Sequence, residues 1–341
     1  MKETTNLPEK YKFKFRDLIF GIVFILVSYI LINTLLTLFN HQDFVKIKSI
    51  IKEINIFWLS ISFGLMLVAI FLRALKWKLL MNTSNYFPSL KSLFSSIATY
   101  NLSNSIIPRT GLLVRCYMLK KSENIPIDFT FGTIIIERII DSLILSICIL
   151  FSIILNIEAF FILFKKYNLE NYKLLFFGSG FILLLIIIFL FFYRKTIKNK
   201  ILKEINKTSI LSNLTIGVKS YNKLNNKFYF IFLTVLSWVI FISYNFTFFY
   251  ALDGVSLSFS ENLFIFTIGI FGFLIPTPGG IGSYHAAIII GFNILGLSPL
   301  YGLAFAFLSH AFQYISGIII GLIGVFYSFW KSKKLETLTI D

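Results

Sequence analysis

The strongest constraint on this chain is a series of apolar runs, each about 20 residues long, near 18–39, 56–77, 129–155, 172–193, 229–251 and 300–329. About 20 residues of α-helix cross a hydrocarbon core roughly 30 Å thick, and in lipid only helices and closed barrels satisfy every backbone polar group. The short alternating segments of a barrel are missing, so the chain reads as an all-α polytopic membrane protein. A hydrophobic content of 57% and a mean hydropathy of +0.81 exclude an ordinary soluble globule.

Two further apolar stretches are interrupted. Residues 92–119 break at Pro108-Arg109-Thr110-Gly111, and residues 262–296 break at Pro276-Thr277-Pro278-Gly279-Gly280-Ile281-Gly282-Ser283-Tyr284-His285. Backbone that leaves the helix at membrane depth is tolerated only where protein buries it or where it lines a polar cavity. Each stretch is therefore expected to form a re-entrant broken-helix hairpin, alongside six full spans.

The net charge of +16 is distributed between the spans, which argues for orientation and against a nucleic-acid partner. With the amino terminus inside, inner segments carry 25 of the 32 Lys/Arg and outer segments six, while Arg138 lies within a span. The expected organisation is a basic cytoplasmic N-terminus (1–17), one transmembrane domain (18–330) and a cytoplasmic tail (331–341). The run at 18–39 lacks a cleavage site and is expected to remain as an anchor.

In this topology the hairpins enter from opposite faces, each between two spans, so 56–155 and 229–329 have the outline of an inverted repeat. Pro108 and Gly111 are spaced like Pro276 and Gly279, and Pro126 precedes Glu137 as Pro299 precedes His310. Between the halves, 194–228 carries nine Lys/Arg against one Glu. That pattern suits a helix on the anionic inner leaflet or a solvated basic loop. Cys116 and Cys148 form neither a disulfide framework nor a metal site, and neither a metal nor a cofactor is expected.

Charged groups at membrane depth are read as functional by default. Glu137 and Asp141 share a helix face, with Arg138 displaced by about 100°. The two carboxylates would bind a cationic group or the first hairpin's arginines, or form a structural ion-pair network that gates them. Arg109 and Arg115 flank the first break and offer guanidinium forks suited to phosphate. Gly279, Gly280, Gly282 and Ser283 would bring backbone amides to an anion at the start of a half-helix. Pro108, Gly111, Pro276 and Pro278 make the breaks. His285 and His310 are titrating candidates, whereas Gln313 and Asn104 read as hydrogen-bonding helix glue.

The ordered motifs Asn101 to Gly111 with Arg115, Glu137-Arg138-Ile139-Ile140-Asp141, and Pro276 to Gly282 resemble the flippase-like membrane domain of bacterial lysylphosphatidylglycerol synthases, over nearly the whole chain. The resemblance implies movement of a phospholipid, such as aminoacylated phosphatidylglycerol, between leaflets of the bacterial inner membrane. Many relatives carry Glu a few residues past the Gly-Gly-x-Gly turn, where this chain has His285. About a dozen residues follow the last span, so a soluble aminoacyl-transfer domain, and with it lipid synthesis, is not expected. The function expected is a lipid flippase that is not an enzyme. The alternatives are a non-transporting partner of an envelope-lipid enzyme, docked through 194–228, or a lipid-phosphate transferase.

Overall fold

The computed structural model describes residues 39–107, 110–168, 209–252, 254–275 and 277–338, together with 26, 29, 30, 33 and 37. The N-terminus 1–17, most of the run at 18–39, the run at 172–193 and the basic stretch 194–208 lie outside the described residues.

Among the described residues four helices are long and apolar enough to cross a membrane. They are α2 (Ile56–Asn82), α5 (Ile127–Leu155), α8 (Lys227–Ala251) and α11 (Pro299–Leu338), and α11 continues past its apolar run through Lys331, Lys333 and Lys334. Two pairs of shorter helices lie between them: α3 (Leu90–Ile106) with α4 (Gly111–Glu123), and α9 (Phe259–Leu274) with α10 (Ser283–Ile294). At 17, 13, 16 and 12 residues, none has the roughly 20 needed to cross. Three small helices complete the set: α1 (His41–Lys52), α6 (Ile157–Lys166) and α7 (Ser209–Lys219).

The breaks follow from local chemistry. Proline clashes with a helical residue before it, and both Ile107 (φ −128°, ψ 109°) and Ile275 (φ −67°, ψ 126°) are extended ahead of Pro108 and Pro276. The Gly111 amide, an orphan donor at the start of α4, donates to Asn104 Oδ1 at 2.9 Å, so Asn104 closes the first break. A capping box of Ser258 and Glu261 starts α9.

Small residues set the packing. On α11, a Cβ at Gly321 would lie 2.3 Å from Leu102 Cβ, and one at Gly324 would lie 2.7 Å from the Ser95 carbonyl, so α3 lies directly against this face. Ser95 Oγ donates to the Gly324 carbonyl at 2.5 Å and pairs with Ser328 Oγ at 2.7 Å. Helices α2 and α8 meet through Ser62 with Thr247 and through Trp58 stacked on Tyr250. Ile147, Phe151 and Ile154 of α5 and Ile319, Leu322 and Phe326 of α11 remain exposed, as lipid-facing positions do.

The described end of the basic segment packs on protein. Helix α7 packs on α5, where Gly132 and Gly217 face each other so closely that a Cβ on either would meet backbone at 2.2–2.3 Å. Asn213 donates to Asp128 at 2.8 Å, and the turn after α7 buries Ser220 and Tyr221. Two close-approach glycines and a cross-helix hydrogen bond thus hold residues 209–223 against protein.

Glu123, at the end of α4, ties three helix ends together. Its carboxylate accepts from Lys331 Nζ at 2.5 Å and from the Ser89 amide at 2.8 Å, while Lys331 also donates to Ser92 Oγ at 3.0 Å. Burial alone would raise the Glu123 pKa, but Lys331 and the hydrogen bonds from Ser89 and Ser92 outweigh it and hold the carboxyl below its ordinary value. Such a group stabilises the fold above its unfolded pKa and loses that contribution as the pH falls through the folded one. Glu123→Gln should therefore cost roughly 1 kcal/mol near pH 7. In a thermal-unfolding series in detergent, its deficit against wild type should shrink to nothing as the pH is taken well below about 4.

Candidate functional site

A cavity of about 570 Å³ lies between the end of α3 and the second break. Its wall draws on the middle of α2 (Met66, Ala69, Ile70, Arg73, Lys76), the end of α3 (Tyr100, Asn101, Asn104, Ser105), and Arg138 and Asp141 of α5. Ser237, Trp238, Phe241 and Tyr244 of α8, Phe273 of α9, Ile275, Thr277, Gly279 and Gly280 at the second break, and Gln313 and Tyr314 of α11 complete it. Met66 packs against both large apolar clusters of the protein, one built mainly from α2 to α5 and the other mainly from α8 to α11.

Behind this wall lies an ion-pair network. Glu137, fully buried, accepts from Arg115 Nη2 at 2.8 Å, and Arg73 Nη2 lies 3.6 Å from its other oxygen. Arg115 is equally buried, with its guanidinium carbon 3.7 Å from the centre of the Trp77 ring. Lys76, 1% exposed, pairs with Asp141 at 2.5 Å and lies 4.0 Å from Glu137. Trp77 is held in turn by its indole N–H, which donates to Thr133 Oγ1 at 2.9 Å. Arg138 and Arg73 both lie within cation–π reach of the Tyr100 ring, at 5.2 and 5.8 Å.

Arg73, Lys76, Arg115 and Arg138 thus face Glu137 and Asp141, an excess of two cations among the described residues. Arg73 Nε and Nη2 and Arg138 Nη2 are buried without a hydrogen-bond partner. Arg73, Arg138, Lys76 and Asp141 reach the cavity wall; Arg115 and Glu137 do not. Arg115, a phosphate candidate from sequence, is turned inward to Glu137, because a guanidinium at full burial needs its counter-charge in direct contact.

The second break is built around Gly279. With φ at +60° it sits in a three-residue 3₁₀ turn, Pro278–Gly280, and its carbonyl accepts from Tyr314 Oη at 3.2 Å. His310 Nε2 lies 3.0 Å from the same carbonyl. Gly279 and Gly280 line the cavity, whereas Gly282 and Ser283 are buried outside its wall, Ser283 paired with Thr277 Oγ1 at 2.7 Å. His285 is buried behind the break, its ring 5.0 Å from that of His310 and 4.9 Å from that of Phe307. Gln313 and Asn104 reach the cavity, and Gly111 lies against Tyr100 and Asn104. Pro108, Arg109 and Pro276 lie outside the described residues.

Sequence reading missed Arg73 and Lys76. Both fall at the end of the apolar run 56–77 and read as charges of the inner segment 73–91, but α2 runs on to Asn82 and places both on the cavity side. Their i, i+3 spacing, continued by Trp77 and Leu80 at helical intervals, was the available signal.

Among the described residues, four membrane-length helices, two pairs of short helices and a charged cavity beside them define a multi-pass α-helical membrane protein with an internal polar site. The chain belongs to the lysylphosphatidylglycerol synthase TM region family, whose model matches residues 18–321. It is 26% identical over 335 residues to the UPF0104 membrane protein MJ1595 of Methanocaldococcus jannaschii, an alignment covering 89% of this chain and 93% of that protein. No solved structure matches the chain.

Proposed function

We propose that this protein is a lipid translocase that carries a phosphate-bearing headgroup through the cavity while the acyl chains stay in the bilayer. The observation that carries the reading is the cationic excess at the cavity, whose wall brings Arg73, Lys76 and Arg138 together with Asp141 as the one acid among the described residues. Guanidinium forks match phosphate oxygens, and a water-poor site strengthens the pairing. Family membership supports a lipid-related role.

In this proposal both short pairs are re-entrant hairpins that enter from opposite faces, and the halves 56–155 and 229–329 are inverted repeats. The shared order of long helix, short pair, long helix supports it, as do the contacts of Glu137 and His310, which reach from the last helix of each half into the hairpin beside it. Arg73 and Arg138 hold the phosphate, and Gly279 and Gly280 admit it close to the backbone. Both termini face the cytoplasm, and the protein transports without altering the lipid.

The test is reconstitution in liposomes with a fluorescent anionic phospholipid. Wild type should exchange it between leaflets faster than protein-free vesicles. Arg138→Gln should slow exchange roughly tenfold, the worth of one charge-assisted hydrogen bond. Exchange no faster than in empty vesicles, across anionic and aminoacylated lipids alike, would sink the reading.

A further inference from the structure

Resting on the translocase reading, we infer that the headgroup taken into the cavity ends in a phosphomonoester, a group close to a dianion, and not in an aminoacylated or singly charged phosphodiester. The argument is one of charge balance in a poorly screened site. Asp141 is the one acid on the cavity wall among the described residues, and Lys76 holds it at 2.5 Å. Glu137 lies behind the wall, paired with Arg115 at 2.8 Å. Neither carboxylate is free to receive an incoming ammonium.

Two cations remain in excess among the described residues, and Arg73 and Arg138, neither of them paired one to one with a carboxylate, both line the cavity. A phosphomonoester carries about −1.5 to −2 charges at pH 7 with three acceptor oxygens, so it brings the site close to neutrality. A phosphodiester leaves one cation uncompensated. A lysyl ester of phosphatidylglycerol, with two ammonium groups and one phosphate, adds positive charge to a site that already has too much.

The neutral groups on the wall do not reverse this. Asn104 Oδ1 already accepts from the Gly111 amide, and Tyr314 Oη is a donor bound to the Gly279 carbonyl. The second break brings glycine backbone and Thr277 to the wall and no acid.

The test is equilibrium binding to the purified full-length chain in detergent, followed by quenching of tryptophan fluorescence, since Trp238 lines the cavity. The probes are dihexanoyl phosphatidic acid, dihexanoyl phosphatidylglycerol, its lysyl ester and inorganic phosphate. The phosphatidic acid should bind roughly tenfold tighter than the phosphatidylglycerol, with the lysyl ester weakest. Arg138→Gln and Arg73→Gln should each bring the ratio of the first two toward one, and Arg138→Lys should keep most of it.

Binding of the phosphodiester or the lysyl ester as tightly as the phosphomonoester, or a ratio that neither Gln variant moves, would overturn the inference. Inorganic phosphate binding as tightly as the phosphatidic acid would overturn its lipid part, and no binding by any probe would overturn it whole. Transport is read separately: selective binding without leaflet exchange would refute the translocase and leave the charge preference standing. Exchange fastest for the lysyl ester would do the reverse.

Discussion

Glu137→Gln should destabilise the protein by about 3–5 kcal/mol, the cost of removing one partner from a buried ion pair. Arg115 is fully buried, stacked on Trp77 and bound to Glu137 Oε2 at 2.8 Å, and Glu137 also faces Lys76 at 4.0 Å and Arg73 at 3.6 Å. A neutral amide would leave four cations around Asp141 alone. Removing the pair together, as Arg115→Met with Glu137→Leu, should recover much of the loss, because the desolvation of both ions disappears with their attraction. Denaturant unfolding in mixed micelles measures both, and the double variant should be markedly more stable than Glu137→Gln. If Glu137→Gln were as stable as wild type yet slow in leaflet exchange, Glu137 would be a cargo contact, the other role its sequence position suggested.

The long helices were legible because a run of about 20 apolar residues has few folded alternatives. The breaks were legible because proline forces the residue before it out of the helix, as at Ile107 and Ile275. The sequence misled at Arg73 and Lys76, because charges at the end of an apolar run read as marking the inner surface. Lys76 is instead buried within the protein, paired with Asp141.

The direction of individual side chains was not legible either. Arg115 and Arg138 are both arginines near carboxylates, and only packing shows that the first turns to Glu137 behind Trp77 while the second reaches the cavity. The packing of the basic segment's described end was not legible in its composition either: Gly132 and Gly217, 85 positions apart, bring α7 onto α5. A contact of that range leaves no local periodic signal.

Gly279→Ala should slow leaflet exchange by two orders of magnitude or more. The residue has φ +60°, and an added Cβ would lie 1.6 Å from Tyr314 Oη, the group that fixes the Gly279 carbonyl to α11. The positive φ costs a residue with a side chain about 1–2 kcal/mol, and forcing Tyr314 aside adds roughly 1–3 kcal/mol more. These two terms separate by experiment. Tyr314→Phe, which removes only the hydroxyl and its hydrogen bond, should have a mild effect of about 1 kcal/mol. Adding Tyr314→Ala to Gly279→Ala makes room for the methyl without relieving the backbone, so exchange should recover in part and stop short of wild type. Leaflet exchange for the set, with unfolding of each variant in micelles, distinguishes a rigid turn from a merely crowded one. Full recovery in the double variant would mean that crowding alone requires glycine. Wild-type exchange by Gly279→Ala itself would show that the turn shifts freely against α11, so that the second break is no fixed wall of the cavity.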